Sequence, residues 1–257
     1  MKVIFQALVG VMVTAVPALA EQKVFGEAEV AYGQTDLEDL DDTADHFNLG
    51  GKAAFVSSAG LGIQLGASYS NLSVKGAGEA DIYSYDAHVY GDAGDYKVGA
   101  FIGRMEIDEV EIYGLGSADL NETVTSYGLE GQVDRGPITY RGYVARADID
   151  GTDNIIYGIG ADFDVNQAFE ISADYDAMDV SIDGFEEELG VSAFKLSAGY
   201  YVPQAPVRLS AAIGRSDIEF DGMDANATSF GIGASYLFGD RADAAREKLF
   251  KSVAVPF

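Results

Sequence analysis

Cysteine is absent from the sequence, and basic residues are scarce. Without cysteine, the 257-residue chain has no disulfide framework, no thiolate metal site and no cysteine that could carry a lipid. Its 16 basic residues stand against 42 acidic ones, a formal net charge of −26, so it lacks the basic surface that nucleic-acid binding requires. Hydrophobic residues make up 48% of the chain, which excludes an acidic disordered protein. What remains is a folded, acidic protein of one or two domains, rich in glycine and tyrosine.

Long hydrophobic runs are also missing after the first twenty residues. Lys2, an apolar stretch over residues 3–16, and the small residues Ala18 and Ala20 have the pattern of a cleaved signal peptide covering residues 1–20. The mature chain would then begin at Glu21 and be exported. No later segment approaches the roughly 18 continuous apolar residues of a membrane-spanning helix.

From Val24 onward, hydrophobic residues recur at every second position. Such alternation over about ten residues is typical of a strand with one apolar and one polar face. Six segments start with an aromatic residue. Six others lie between them, and each of these ends in three residues: an acidic residue or asparagine, an aliphatic residue, and an acidic residue or serine. Together they predict six hairpins, or about twelve strands. The aromatic segments start at Phe47, Tyr83, Tyr127, Tyr157, Phe194 and Phe230, and the triplets start at Asp36, Asn71, Glu106, Asp148, Asp179 and Asp217.

The connections between these strands alternate in length. Residues 57–60, 91–94 and 134–137 have the composition of tight turns. The other connections are longer and mostly acidic, as at residues 35–45 and 180–188. Short turns on one side, longer loops on the other and an even number of strands are typical of outer-membrane barrels. The short turns and both termini would then face the periplasm.

Aromatic residues mark both ends of the apolar face. Rings at two levels with aliphatic residues between them match the two interfaces of a membrane, whereas the core of a soluble sandwich gives no reason for such belts. The predicted loop-side belt is Tyr32, Phe47, Tyr69, Tyr83, Tyr127, Tyr157, Tyr175, Phe194 and Phe230, and the turn-side belt is Phe55, Tyr96, Tyr140, Phe163, Phe169, Tyr200, Tyr236 and Phe238.

On these patterns the sequence resembles Gram-negative outer-membrane β-barrel proteins, most closely the porin-type channels. The resemblance implies an all-β fold, a transmembrane antiparallel up-and-down barrel of about twelve strands over residues 21–238. The final segment, residues 230–238, is similar to the C-terminal strand that such barrels present to their insertion machinery. Unlike that strand it does not end the chain, so residues 239–257 are expected to form a periplasmic tail with a short helix over residues 241–250.

A further alternating stretch, residues 109–113, follows the first strand of the third predicted hairpin. As a separate strand it would make the strand number odd. We interpret it as part of a long third loop that either extends its hairpin above the membrane or folds into the lumen.

The residues that alternate with these outward-facing positions along each strand form the predicted inward face. Glycine and serine surround its charges and leave room for water, and the excess of acidic residues favours an interior that attracts cations. The alternative is a closed barrel whose inward charges pair into a plug. The predicted pore-lining residues are Glu27, Glu29, Lys52, Asp86, His88, Lys97, Glu130, Arg141, Glu170, Asp174, Asp176, Lys195 and Arg208.

Three arginines occupy equivalent positions on the outward, loop-side rim of their strands: Arg104, Arg146 and Arg215. Each precedes an acidic residue by two positions and would lie at the height of lipid headgroups. There a guanidinium can bind the phosphates of outer-membrane lipid or lipopolysaccharide, although plain solvated charge is the alternative. We expect no metal site and no cofactor, and the Asp-x-Asp-Gly segment at residues 148–151 lacks the ligand ladder and closing glutamate of an EF-hand.

The chain offers two histidines for catalysis, His46 and His88, and both are predicted to face the lumen. A lipase triad needs its histidine within reach of lipid, so we expect no enzymatic activity. We expect instead a passive outer-membrane channel for small hydrophilic solutes or ions, weakly selective for cations. The alternative is a non-conducting barrel with a structural or adhesive role through its acidic extracellular loops.

Overall fold

The computed structural model describes residues 23–37, 42–75, 78–112, 116–118, 122–149, 152–181, 188–220, 223–239 and 248–251. The predicted signal peptide lies outside these residues. Within them no helix is long and apolar enough to cross a membrane. The strands are β1 Lys23–Leu37, β2 Asp42–Val56, β3 Leu61–Val74, β4 Gly78–Asp92, β5 Tyr96–Ile112, β6 Gly116–Ala118, β7 Glu122–Arg135, β8 Ile138–Ile149, β9 Thr152–Asp164, β10 Phe169–Ser181, β11 Glu188–Tyr201, β12 Val207–Phe220 and β13 Met223–Gly239.

Twelve of these strands form a closed antiparallel barrel, which confirms the predicted fold class. Strands adjacent in sequence pair along the chain, except that β5 pairs with β7 across the short β6. Closure occurs between the first and last strands: Glu29 of β1 lies opposite Gly50 of β2 on one side and Ser235 of β13 on the other. Each of the twelve long strands therefore has a partner on both sides, and among the described strands β6 alone has a single partner.

Tight turns join the strands on the side predicted to be periplasmic. Gly60 and Gly94 have φ angles of +75° and +82°, a left-handed conformation that glycine adopts without steric cost. Gly94 N also donates a 2.8 Å hydrogen bond to Asp92 Oδ1 within its turn. These local interactions explain why the short connections could be recognised from composition.

The strands continue further on the opposite side than the sequence predicted. Residues 35–37 and 42–45, expected to belong to a loop, pair with each other or with the adjacent strand, as in Thr35 opposite Ala44. In the third connection, β5 runs to Ile112, and Val110 pairs with Ala118 of β6. The alternating stretch thus extends its hairpin, one of the two predicted possibilities, and adds no barrel strand.

The alternation of side chains also follows the predicted parity. On β1, Val30 and Tyr32 point outward and are exposed, whereas Glu27 and Glu29 point into the barrel. Aromatic residues are exposed at both levels of the outer surface, with aliphatic residues such as Ile159 between them. The outer face therefore has the arrangement that a hydrocarbon slab with two interfaces requires.

The four described residues that follow the last strand lie against the interior of the barrel. We expected a periplasmic tail from residue 239, but Gly239 is the last residue of β13, and residues 248–251, here called the tail segment, contact inward-facing side chains of the barrel. The tail segment is not helical, and residues 240–247, which hold most of the predicted helix, lie outside the described part.

Candidate functional site in the barrel lumen

Many inward side chains of β3–β5 and β7–β10 pack against one another and are buried. This set, here called the filled wall, includes Gln64 and His88 at 0% exposure and Gln132 at 2%. Its large members cover small inward neighbours, as Tyr90 covers Gly62 and Asp86 covers Gly66. The buried polar side chains of this wall form hydrogen bonds or ion pairs with neighbouring groups, as buried polar groups generally do.

His88 lies at the centre of one network on the filled wall. Its Nδ1 is 2.8 Å from Glu130 Oε1, and its Nε2 is 2.8 Å from Asp86 Oδ1. The imidazole thus bridges two carboxylates from β4 and β7, and such close approach of two acids is tolerable when a histidine between them shares their charge. The structure therefore brings together three predicted pore-lining residues in a packed network that holds the wall.

Arg141 forms a second network with two acids from neighbouring strands. Its guanidinium pairs with Asp162 of β9 and Asp174 of β10. Next to it, Tyr143 Oη donates a 2.7 Å hydrogen bond to Asp176 Oδ1. Asp174 and Asp176, two of the predicted pore-lining acids, are therefore engaged by neighbouring side chains.

A third network joins β10 to β12. Arg208 Nη2 donates to Glu170 Oε1 at 2.9 Å, and Tyr201 Oη donates to Glu170 Oε2 at 3.3 Å. The Arg208 guanidinium also lies 5.9 Å from the centre of the Tyr201 ring. This network marks the boundary between the filled wall and the strands that follow.

The loop-side part of the filled wall is apolar, which the sequence analysis missed. Inward-facing residues of β5 and β7–β11 form one buried cluster, with Ile82 and Tyr143 packed against it. The signal was available in the sequence, because these apolar residues occupy inward positions of their strands. They are Met105, Val124, Ala147, Ile156, Met178 and Val191.

On the remaining strands, many small inward residues are partly exposed to solvent. Lys195 points inward from β11 and is exposed, and Glu27 and Glu29 of β1 are partly exposed. Ser235 Oγ donates a 3.2 Å hydrogen bond to Glu29 Oε2, which leaves the other carboxylate oxygen toward the lumen. The inward residues around these charges, here called the small-residue wall, are Ala31, Gly50, Ala193, Ser197, Ser210, Ala212, Gly214, Gly231 and Gly233, all partly exposed.

The tail segment lies in the turn-side half of the lumen. Gln64 makes two 2.9 Å hydrogen bonds with the backbone of Phe250, accepting from its N–H and donating to its carbonyl. Lys52 Nζ donates to the same carbonyl at 3.4 Å, and Lys97 Nζ donates to the Lys248 carbonyl at 3.3 Å. Three residues of the inner wall thus bind the backbone of the chain's own C-terminal region.

The three rim arginines point outward and are exposed at the loop side. Arg104 Nε lies 2.7 Å from Glu106 Oε1, and Arg215 Nε lies 3.1 Å from Asp217 Oδ1. Arg146 shares their outward position on β8. Arg215 Nη2 also donates a 3.1 Å hydrogen bond to Asn226 Oδ1. A guanidinium has five N–H groups, so these contacts use only part of the donors of Arg104 and Arg215.

Comparison with known proteins agrees with this architecture. A family model for the outer membrane protein β-barrel domain matches residues 6–201. The solved KdgM porin, in complex with disordered oligogalacturonate, is 7% identical, with 82% of this chain and 99% of that chain covered and a TM-score of 0.54. A loop L8 deletion mutant of OmpT, an outer membrane protein of Vibrio cholerae, is 15% identical, with 85% and 100% covered and a TM-score of 0.48. No curated protein matches the chain by sequence.

Proposed function

This chain belongs to the family of outer membrane proteins with a β-barrel domain, and we propose that it acts in the outer membrane as a passive channel for small hydrophilic solutes. The solutes would pass along the small-residue wall, between β11 and β2. No reaction step is involved, and selectivity would come from the width and the charge of this wall.

The exposure of Lys195 carries the proposal. Its side chain points into a closed barrel and yet remains exposed, while many inward residues of the filled wall are buried. We infer that water reaches the interior along β11. Partial exposure of Ser197, Ala212 and Gly231 on neighbouring strands supports a continuous hydrated path.

A weak preference for cations follows from which charges meet this water. Glu27 and Glu29 are partly exposed there, whereas Glu130 and Asp174 are buried and paired. Lys195 and the partly exposed Lys52, which lies opposite Glu27, face the same water and keep the preference incomplete. At about 0.1 M salt the Debye length is about 10 Å, so wall charges act on ions in a narrow lumen.

Conductance in planar bilayers tests the proposal. The full chain should give a steady conductance, and Ala212→Phe should reduce it because the ring would occupy the hydrated path. Ala211→Phe is the matched control, since Ala211 is exposed on the outer face. It should leave the conductance unchanged.

Two results would contradict the channel. Equal conductance of the Ala212 and Ala211 variants would mean that solutes do not follow the small-residue wall. Absence of conductance both in the full chain and in a chain shortened after Gly239 would favour the non-conducting barrel with a structural or adhesive role.

We further propose that the rim arginines bind lipid phosphates. Arg104 and Arg215 are about half exposed at the loop side, where headgroups of outer-membrane lipid or lipopolysaccharide would lie. Their neighbouring acids orient the guanidiniums without using all their donors. Replacing Arg104, Arg146 and Arg215 with glutamine should weaken co-purification of lipopolysaccharide, and unchanged retention would contradict this role.

We also propose that the barrel-insertion machinery binds strand β13, since Tyr236 and Phe238 share one face of that strand.

A further inference from the structure

We infer that the inner wall carries a binding site for a basic, aromatic peptide segment, and that the chain's own residues 248–251 occupy it as a tethered plug. This inference rests on the proposed channel function, because a plug limits transport only where the lumen conducts. The site itself is defined by contacts, and its occupancy can be measured separately from conductance.

An aromatic pocket holds the ring of Phe250. The residue is 4% exposed and packs in one cluster with Phe25, Ala54, Val56 and Tyr90, while Leu249 lies against the same cluster. Its ring stacks on His88 at a centroid distance of 5.8 Å and meets Tyr90 edge-on at 5.2 Å. Burial of a phenylalanine and two aromatic contacts make this the anchor of the segment.

Carboxylates at the end of β9 and on β10 hold the two lysines. Lys248 Nζ donates to Asp164 Oδ1 at 3.0 Å and also pairs with Glu170. Lys251 pairs with Asp174. Glu170 and Asp174 are almost fully buried, and the Lys248 side chain is 13% exposed, whereas the Lys251 side chain beside Asp174 is 41% exposed.

The anchors lie on opposite sides of the barrel. Gln64, which binds the Phe250 backbone, belongs to β3, and Glu170 belongs to β10. In the closed sheet, β4, β5, β7, β8 and β9 separate these strands on one path, and β2, β1, β13, β12 and β11 separate them on the other. A segment held at both strands crosses the lumen, and its backbone obstructs the turn-side half.

The segment is attached to the barrel only through its connection to β13. That strand ends at Gly239 on the turn side, and the chain between residues 239 and 248 can span at most about 30 Å. The tether therefore keeps the segment at high effective concentration near the site after release. Release would leave Arg208 and Tyr201 as partners of Glu170, and Arg141 as a partner of Asp174.

Charge reversal in the full chain tests the plug. Lys248→Glu with Lys251→Glu places carboxylates against Glu170 and Asp174, so the segment should leave the lumen and the bilayer conductance should rise several-fold. Lys248→Arg with Lys251→Arg is the matched control, because it keeps both positive charges. This control should show the conductance of the unchanged chain.

A second variant and a binding measurement make the test independent of those substitutions. A chain ending at Gly239 keeps all twelve barrel strands and the pairing of β1 with β13. It should conduct like the charge-reversed chain. A fluorescent peptide with the sequence of residues 240–257 should bind this shortened barrel and reduce its conductance, whereas the same peptide with Phe250→Ser and both lysines reversed should do neither.

The outcomes separate the plug from the channel. If the full and shortened chains conduct equally, or the peptide does not bind, the plug is wrong while the channel stands. If neither chain conducts but the peptide binds and its altered form does not, the peptide site is supported and the channel is wrong. Conductance that rises on shortening and falls again with peptide supports both.

Discussion

The two walls of the lumen use the same strand geometry for opposite purposes. On the filled wall, Gln132 and Ile156 are 2% and 1% exposed, as in a protein core. On the small-residue wall, Ser197 and Ala212 occupy equivalent inward positions and remain partly exposed. The barrel backbone is regular on both sides, so packing depends on whether a large inward side chain covers its small neighbours, as Tyr143 covers Gly158.

The difference also changes what an inward charge does. Arg141 lies between two aspartates on the filled wall and acts as part of the packing. Lys195, on β11 beside that network, is exposed to the lumen. A charge in the first setting stabilises its neighbours, whereas a charge in the second acts on the solvent and its ions.

The largest expected effect is on stability. Arg141→Met would leave Asp162 and Asp174 without their shared guanidinium, and removing one partner of a buried pair costs about 3–5 kcal/mol. Lys195→Met should change the free energy of unfolding by less than about 0.5 kcal/mol, as exposed substitutions usually do. Urea unfolding of both variants in lipid vesicles measures the difference. Equal costs would show that the two walls are packed alike.

Much of this architecture follows from alternation along the sequence. Because successive strand residues point to opposite faces, Glu29 and Val30 could be assigned to the lumen and the lipid from their positions alone. Tyrosine and phenylalanine at the strand ends then defined the membrane, and turn residues such as Gly60 and Gly94 separated the hairpins. Each of these signals is local, so a single sequence reveals it.

The partners across the lumen could not be predicted in the same way. Pairing of Arg141 with Asp162 depends on the register of two strands, and contact of Phe250 with Phe25 joins the two ends of the chain. Alternation within a single strand does not show which residues of two distant segments lie close together. The basic and aromatic residues of the tail segment were visible in the sequence, but a periplasmic helix accounted for them equally well until the closed barrel supplied their partners.

A smaller effect on stability should separate the lumen from the lipid on the small-residue side. Leu196 is 42% exposed on the outer face between the aromatic belts, and the adjacent Ser197 points inward. Leu196→Arg should cost about 2–4 kcal/mol, the penalty for arginine near the middle of the bilayer. Ser197→Arg should be tolerated because its guanidinium reaches water. If both arginines were equally costly, the small-residue wall would not be hydrated.

Chemical accessibility compares the two walls without altering charge pairs. Since the natural chain has no cysteine, each introduced cysteine gives a single labelling site. Lys195→Cys should react with a small water-soluble thiol reagent about tenfold or more faster than Gln132→Cys, because reaction requires an exposed thiolate. Labelling in detergent and in vesicles, with denatured protein as the common reference, measures the two rates. Similar rates would mean that the filled wall opens in solution.

Ion selectivity should show the smallest effect and the most specific one. Glu29 is partly exposed on the small-residue wall, and Glu130 is 6% exposed and bound to His88 on the filled wall. If ions follow the small-residue wall, Glu29→Gln should move the reversal potential in a salt gradient toward zero, while Glu130→Gln should leave it close to that of the unchanged chain. The shift should shrink as salt rises, because the Debye length falls from about 10 Å at 0.1 M to about 3 Å at 1 M. Both substitutions remove one negative charge from the lumen, so a difference between them reports where the ions pass and not how acidic the protein is. An equal shift from both would place the ion path along both walls, and a shift from Glu130→Gln alone would place it on the wall that the structure fills.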